Sequence, residues 1–334
     1  MLFTSDDVAL GLVQKERSGN GPLFSFGANT TRRQDKEPMS NPLWIPATIA
    51  AATFQVGRNA LQRGVMSSSG PWGATLVRFL FGLPFSILFV TAAHFAMPGA
   101  DLHWNGAFWL SAIVGAASQV LATAALLDAM QRSGFAVGTA LQQSSLPLAA
   151  LLGLIVYHDR ISGVAWVGVA ITTAGLVALS WPPPEQRRAS LIGAAMGLAS
   201  GLFFGFSLNA FRHAALALDP AHPVFAALVC VAVVQAMQTV ALGLILAWRD
   251  PATLTEVARR WQPSLGAGLC GACASAGWFV ALALSPAAPV RALGIIEAPI
   301  AAMAGHRLFR ERLGARQLLS GIAIVGGVLL TTLF

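Results

Sequence analysis

Ten apolar stretches, each close to twenty residues long, follow one another along this chain, and no other feature restricts its fold so tightly. A hydrocarbon core about 30 Å thick takes roughly twenty residues of helix to cross, and unsatisfied backbone groups exclude open alternatives there. The stretches run over 43–66, 72–95, 106–131, 134–157 and 162–181, then 190–213, 223–247, 264–285, 287–308 and 315–334. Only 10% of the 334 residues are charged and 55% are hydrophobic, whereas a soluble domain carries about 25% charged residues. The expectation is an all-α membrane protein of ten transmembrane helices.

The tract Trp181-Pro-Pro-Pro-Glu-Gln-Arg-Arg188 interrupts the series. It divides the chain into a polar, disordered tail over 1–42, a five-helix repeat over 43–181, a linker over 182–189 and a second five-helix repeat over 190–334. Residues 1–38 hold five basic and five acidic residues and none of the order of a signal peptide, so they read as an upstream extension. A shift of 152 residues lays Pro147 on Pro299, Ala149 on Ala301, Ala150 on Ala302 and Gly153 on Gly305. The same shift lays Asp159 on Glu311, Arg160 on Arg312 and Gly175 on Gly327. Because five spans per half is an odd number, the second half must sit inverted relative to the first. Inverted repeats with a site between them at mid-membrane are a recurring transporter architecture.

Polar side chains at membrane depth are costly unless they face a cavity or a partner. Gln55, Arg58, Asn59 and Gln62 recur at i, i+3, i+4 and i+7, which makes one polar stripe on an apolar helix. Such a stripe lines a wet pathway, or else marks a helix end from which Arg58 snorkels. Gln142, Gln143, Ser144 and Ser145 precede Pro147, whose ring frees carbonyls in the preceding turn, so the group suits a polar ligand. Glu297 is the counterpart of Ser145 and the acid best placed for proton coupling; the alternative is an ion pair between helices. Arg78 and Asp128 are expected to pair across the second and third spans. Asn209 is a further substrate candidate, and Gln119, Gln235 and Gln238 line a cavity or bond between helices. Trp278 either stacks on a flat substrate or packs in the core.

Several of these residues carry a resemblance. Pro147, Asp159-Arg160 and Gly175, then Glu297-Ala-Pro299, Glu311-Arg312-Leu313 and Gly327, resemble the two half-motifs of the EamA-type family of the drug/metabolite transporter superfamily. Arg78 in the second span matches as well, the second half fits better, and His158-Asp159 departs from the usual Gly-Glu. The resemblance spans about residues 43–334 and implies ten helices, an inverted pseudo-twofold and export or exchange of amino acids, metabolites or drugs.

Other chemistries find little support. The histidines show no H-x-x-x-H or H-E-x-x-H spacing and there is no Walker loop, so neither an enzyme nor an ATP-driven pump is expected. Cys270-Gly-Ala-Cys273 has no second pair or nearby histidine and reads as small packing residues, so no metal or cofactor is expected. No lysine follows Lys36, which argues against a retinal receptor, and scattered acids argue against a lipid-modifying enzyme. The net charge of +7 is spread singly at span ends, so nucleic acid is not an expected partner. The expected partners are a small-molecule substrate and the lipid bilayer, with a homodimer neither required nor excluded. Eleven arginines in odd-numbered loops against three in even ones place the odd loops inside and both termini outside a plasma (inner) membrane. An excess of amides over charges in the expected cavity suits neutral or zwitterionic metabolites.

Overall fold

The computed structural model describes residues 42–97, 100–145, 163–180, 187–285, 290, 293–310 and 314–333. Within them every regular element is a helix. In chain order these are α1 (Trp44–Leu80), α2 (Leu83–Ala96), α3 (Gly106–Ser133), α4 (Phe135–Gln142), α5 (Gly163–Ser180) and α6 (Arg187–Leu218). There follow α7 (Pro223–Arg249), α8 (Pro251–Arg259), α9 (Trp261–Leu284), α10 (Glu297–Phe309) and α11 (Ala315–Leu333). Among the described residues, five helical runs are long and apolar enough to cross a membrane: Trp44–Ala96, Gly106–Ser133, Leu191–Leu218, Pro223–Arg249 and Trp261–Leu284. The chain is therefore a multi-pass membrane protein. Pro147, Asp159, Arg160, Arg291, Glu311, Arg312 and the prolines of 182–184 lie outside the described residues.

The first run is not one rod. Fifty-three residues of straight helix would reach about 80 Å, far more than a bilayer core. Gly70 interrupts it at φ 64° and ψ 178°, a conformation essentially reserved for glycine. Pro71 follows and starts a fresh helical segment, and the Thr75 hydroxyl donates back to the Pro71 carbonyl at 2.7 Å. Gln62 Nε2 then donates to the Ala74 carbonyl at 2.7 Å across twelve residues, and Val65 and Val77 share one apolar cluster. A continuous helix would hold residues twelve apart at about 18 Å, so α1 is a hairpin of two arms meeting at Gly70. The two spans expected on either side of this point correspond to those arms, the second continuing into α2 after a turn at Phe81-Gly82.

Lipid offers apolar side chains no strong reason to leave it, so helices in a membrane associate through close packing. The most extensive contacts join α3 to α6, α1 to α9, and α5 to α11. In the α1–α9 contact a Cβ on Gly277 would stand 2.8 Å from the Ala47 carbonyl oxygen and 2.9 Å from the Ala51 Cβ, so only glycine allows that approach. The α3–α6 contact builds an aromatic core in which Phe108 and Phe211 are buried, and Phe211 stacks on Phe279 of α9.

Helix α8 opens on a side-chain cap. Asp250 accepts from the Thr253 N–H at 3.2 Å and the Thr253 hydroxyl at 2.6 Å, and Pro251 occupies the first turn. These bonds hold the Asp250 carboxyl below the usual carboxylate range, against a small opposing effect of desolvation. Val257 is buried against the hairpin bend, while Arg259 stays exposed. Between α6 and α7, burial alone would push Asp219 upward, yet bonds from the His222 ring and the His222 and Ala221 N–H groups hold it low.

Candidate functional site

The polar stripe of the first span turns inward. Gln55, Arg58, Asn59 and Gln62 are all buried in the bundle, Arg58 to completeness, so none of them faces hydrocarbon. Four segments converge on Gln55 and Glu297. Its Nε2 donates to Glu297 Oε2 at 2.8 Å, and its Oε1 accepts from Trp278 Nε1 at 2.8 Å. Gln143 Nε2 reaches the same Glu297 oxygen at 3.5 Å. One glutamine on α1 thus joins α9 to α10, and a second, just past α4, closes on the same carboxylate. Glu297 opens α10 and is buried, at 3% exposure. Its position in the first turn of that helix places negative charge near the positive end of the helix dipole.

A second set of contacts adjoins the first. Asn59 Oδ1 accepts from Arg58 Nε at 3.1 Å and from Arg58 Nη2 at 2.6 Å, which fixes the guanidinium. Arg78, from the other arm of the hairpin, donates to Thr123 Oγ1 at 2.8 Å and Ser275 Oγ at 3.4 Å. Both arginine stems flank Gly271 of α9: a Cβ there would lie 3.1 Å from Arg78 Cγ and 3.4 Å from Arg58 Cδ.

Not every expected residue joins this centre. The pair expected between Arg78 and Asp128 does not form. Arg78 meets α3 at Thr123, and Asp128 lies five residues on, about 7.5 Å further along the axis. Asp128 is held instead by Arg132 at 2.7 Å, one turn away on its own helix. Asn209 is exposed, with Nδ2 turned back to the Gly205 carbonyl at 3.1 Å. On α6 the inward face is set by Ser200, Phe204, Ser207 and Phe211, and Asn209 falls on the opposite side. Gln142 and Ser145 are buried beside α6, where Gly201 and Gly205 admit the chain.

The remaining glutamines take the interhelical role. Gln238 Nε2 donates to Gln119 Oε1 at 2.9 Å and the Ala116 carbonyl at 3.1 Å, tying α7 to α3, and Ser86 donates to Gln235 Oε1 at 2.8 Å. Thr123 and Ser275 were not singled out from the sequence; the signal available was a hydroxyl in each of two spans that also carry small residues. Cys270 and Cys273 are free thiols, and among the described residues no group of three potential metal ligands occurs. Two grooves lie away from this centre. One of about 820 Å³ borders the Gly70 bend and α7, and an apolar one of about 400 Å³ lies beside Pro299 and α11.

Residues 42–181 match the model of the EamA-like transporter family, which belongs to the drug/metabolite transporter superfamily. The match bears out the resemblance read from the residues, although it falls on the first half and not on the half with the closer motif. Among curated proteins no sequence matches the chain. A solved crystal structure of another protein resembles this one with a TM-score of 0.54, covering 86% of this chain and 96% of that one. At 17% identity that likeness speaks for the fold alone.

Proposed function

We propose that the chain, whose residues 42–181 match the EamA-like transporter family, is a secondary transporter, an exporter or exchanger of a small metabolite, amino acid or drug. It works by alternating access between two five-helix halves, 43–181 and 190–334, inverted relative to each other in the plasma (inner) membrane with both termini outside. The packing supports this division. Helices α5 and α11 begin 152 residues apart, the same offset as the sequence repeat. Exchanging each helix for its counterpart in the other half turns the α1–α9 contact into the α6–α3 contact and leaves the α5–α11 contact unchanged, as a twofold between the halves requires.

The observation that carries the reading is the network around Gln55. The first half supplies Gln55 and Gln143, the second supplies Trp278 and Glu297, and all four are buried. Polar groups that bridge two halves at mid-membrane are where a substrate binds and where the halves must part to admit it. Substrate replaces amide contacts made between the halves, so its binding and their separation use the same donors and acceptors. Glu297 couples this to protons: neutralising its carboxylate weakens its hold on the Gln55 and Gln143 amides and frees α10 from α1.

A panel of amino acids, neutral metabolites and drugs is screened for thermal stabilisation of the purified protein, and the stabilising compound is used for counterflow in proteoliposomes. Flux is expected to rise with an imposed proton gradient, and Glu297→Gln is expected to lose that dependence while retaining counterflow. Gradient-independent flux, unchanged in Glu297→Gln, rejects the coupling role; absence of counterflow for every stabilising compound rejects transport.

A further inference from the structure

The centre described above holds more positive charge than negative. Arg58 is fully buried and Arg78 is 2% exposed. A guanidinium stays charged at any pH a protein meets, and these two stand on either side of Gly271, near enough to repel. Among the described residues, the other buried charged side chains are Glu297 and Asp219. Asp219 belongs to the turn between α6 and α7, where His222 holds it. Glu297 offsets one of the two cations. The second meets only uncharged partners, the hydroxyls of Thr123 and Ser275 and the ring of Phe79.

Unpaired donors outnumber unpaired acceptors on the two arms of the hairpin: Arg58 Nη1, Arg78 Nε and Asn59 Nδ2 are buried N–H groups with no acceptor, against one buried amide oxygen with no donor, Gln62 Oε1. Asn59 uses its oxygen to fix Arg58 by Nε and Nη2, which leaves Nη1 and its own amide nitrogen to face something else. Buried donors of this kind, two of them on cations, carry a large desolvation cost, which an acceptor that visits them relieves. Guanidinium forks match planar and tetrahedral oxyanions through paired N–H bonds.

We propose that Arg58, Asn59 and Arg78 form an oxyanion subsite, which takes the carboxylate or phosphate group of the transported molecule. The inference rests on the transport reading and narrows its substrate class to molecules with an anionic head, amino acids among them. A lipid headgroup is a poor occupant, because Gly271 stands midway along the 24 residues of α9, far from either interface. The neutral-metabolite class suggested by the amide-rich composition is thereby set aside in favour of carboxylates, zwitterions and phosphates.

The full chain in lipid nanodiscs is melted with acetate, benzoate, inorganic phosphate and phenyl phosphate, and with acetamide and benzamide as neutral counterparts. At least one anion is expected to raise the melting midpoint and its amide to leave it unmoved; which anions act distinguishes carboxylate from phosphate. Arg58→Gln is expected to weaken that anion by about tenfold or more, with Arg58→Lys retaining part of the effect. Without anion, Arg78→Met is expected to melt no lower than the parent, because it removes the cation whose partners are all uncharged and relieves its repulsion with Arg58. The subsite is overturned if no anion stabilises the protein, if amides stabilise it equally, if Arg58→Gln leaves the shift intact, or if Arg78→Met melts lower without anion. Counterflow of a neutral compound, undiminished in Arg58→Gln, overturns the subsite and leaves transport standing; anion binding without counterflow does the reverse.

Discussion

Gln55 carries more of the centre than its chemistry suggests. One amide satisfies a carboxylate on α10 and an indole on α9, each at 2.8 Å. Gln55→Leu keeps the volume and removes both bonds, leaving the Trp278 N–H and one Glu297 contact unmade in a dry interior. Each such loss costs about 1–3 kcal/mol, and more for the charged partner. The expected outcome is a lower melting midpoint and counterflow reduced by about tenfold or more, whereas Asn209→Leu, exposed on α6, leaves both unchanged. Melting curves and initial counterflow rates of the two variants side by side make the check. The stripe itself was legible from spacing, because residues three and four apart share a helix face whatever that helix packs on. Which face of α6 turns inward was not legible, since an apolar helix in lipid shows no polar side to betray its rotation. The same ambiguity hid the partner of Asp128: a sequence shows that two charges occupy neighbouring spans, and the height at which those spans cross is a matter of packing.

At the scale of elements, the hairpin at Gly70 is the feature that sets Arg58 and Arg78 across from each other. Its backbone angles suit glycine alone, and no atom lies within 4 Å of where a Cβ would stand. Gly70→Ala is therefore expected to lower stability by about 1–3 kcal/mol through backbone strain with no clash involved. Gly64 makes a clean comparison. It is helical, equally uncrowded and six residues away, so Gly64→Ala is expected to be neutral or to gain up to about 1 kcal/mol. Chemical-denaturant titration in a fixed detergent compares the two; equal effects at both sites would show that the bend imposes no strain. A boundary was readable here, because the apolar runs 43–66 and 72–95 are each one membrane thickness long, but the fold-back at Gly70 was not. The pairing of helices was not, because contacts between spans depend on small residues that occur in nearly every one of them.

Over the whole molecule, the largest contacts run across the proposed seam: α1 lies on α9 and α3 on α6. Neither half can satisfy its own interior, since Gln55 and Arg58 of the first close against Trp278, Gly271 and Glu297 of the second. Residues 1–186 and 187–334, produced separately, are each expected to aggregate on extraction into mild detergent, and to form a monodisperse species when co-expressed. Size-exclusion profiles of the three preparations decide it, and a monodisperse first half alone would contradict an interleaved interior.

That interleaving bears on how the chain is made. Gln55 and Trp278 are 223 residues apart, and at ordinary synthesis speeds, about 5–20 residues per second, on the order of ten to forty seconds pass between them. Throughout that delay the arm bearing Arg58, Asn59 and Gln62 has left the ribosome while the helix that will enclose it is still untranslated. Lipid is a hostile waiting place for such an arm. The cost of holding those polar groups against hydrocarbon therefore falls on every stage of synthesis before α9, and the packing of α9 on the first arm relieves it.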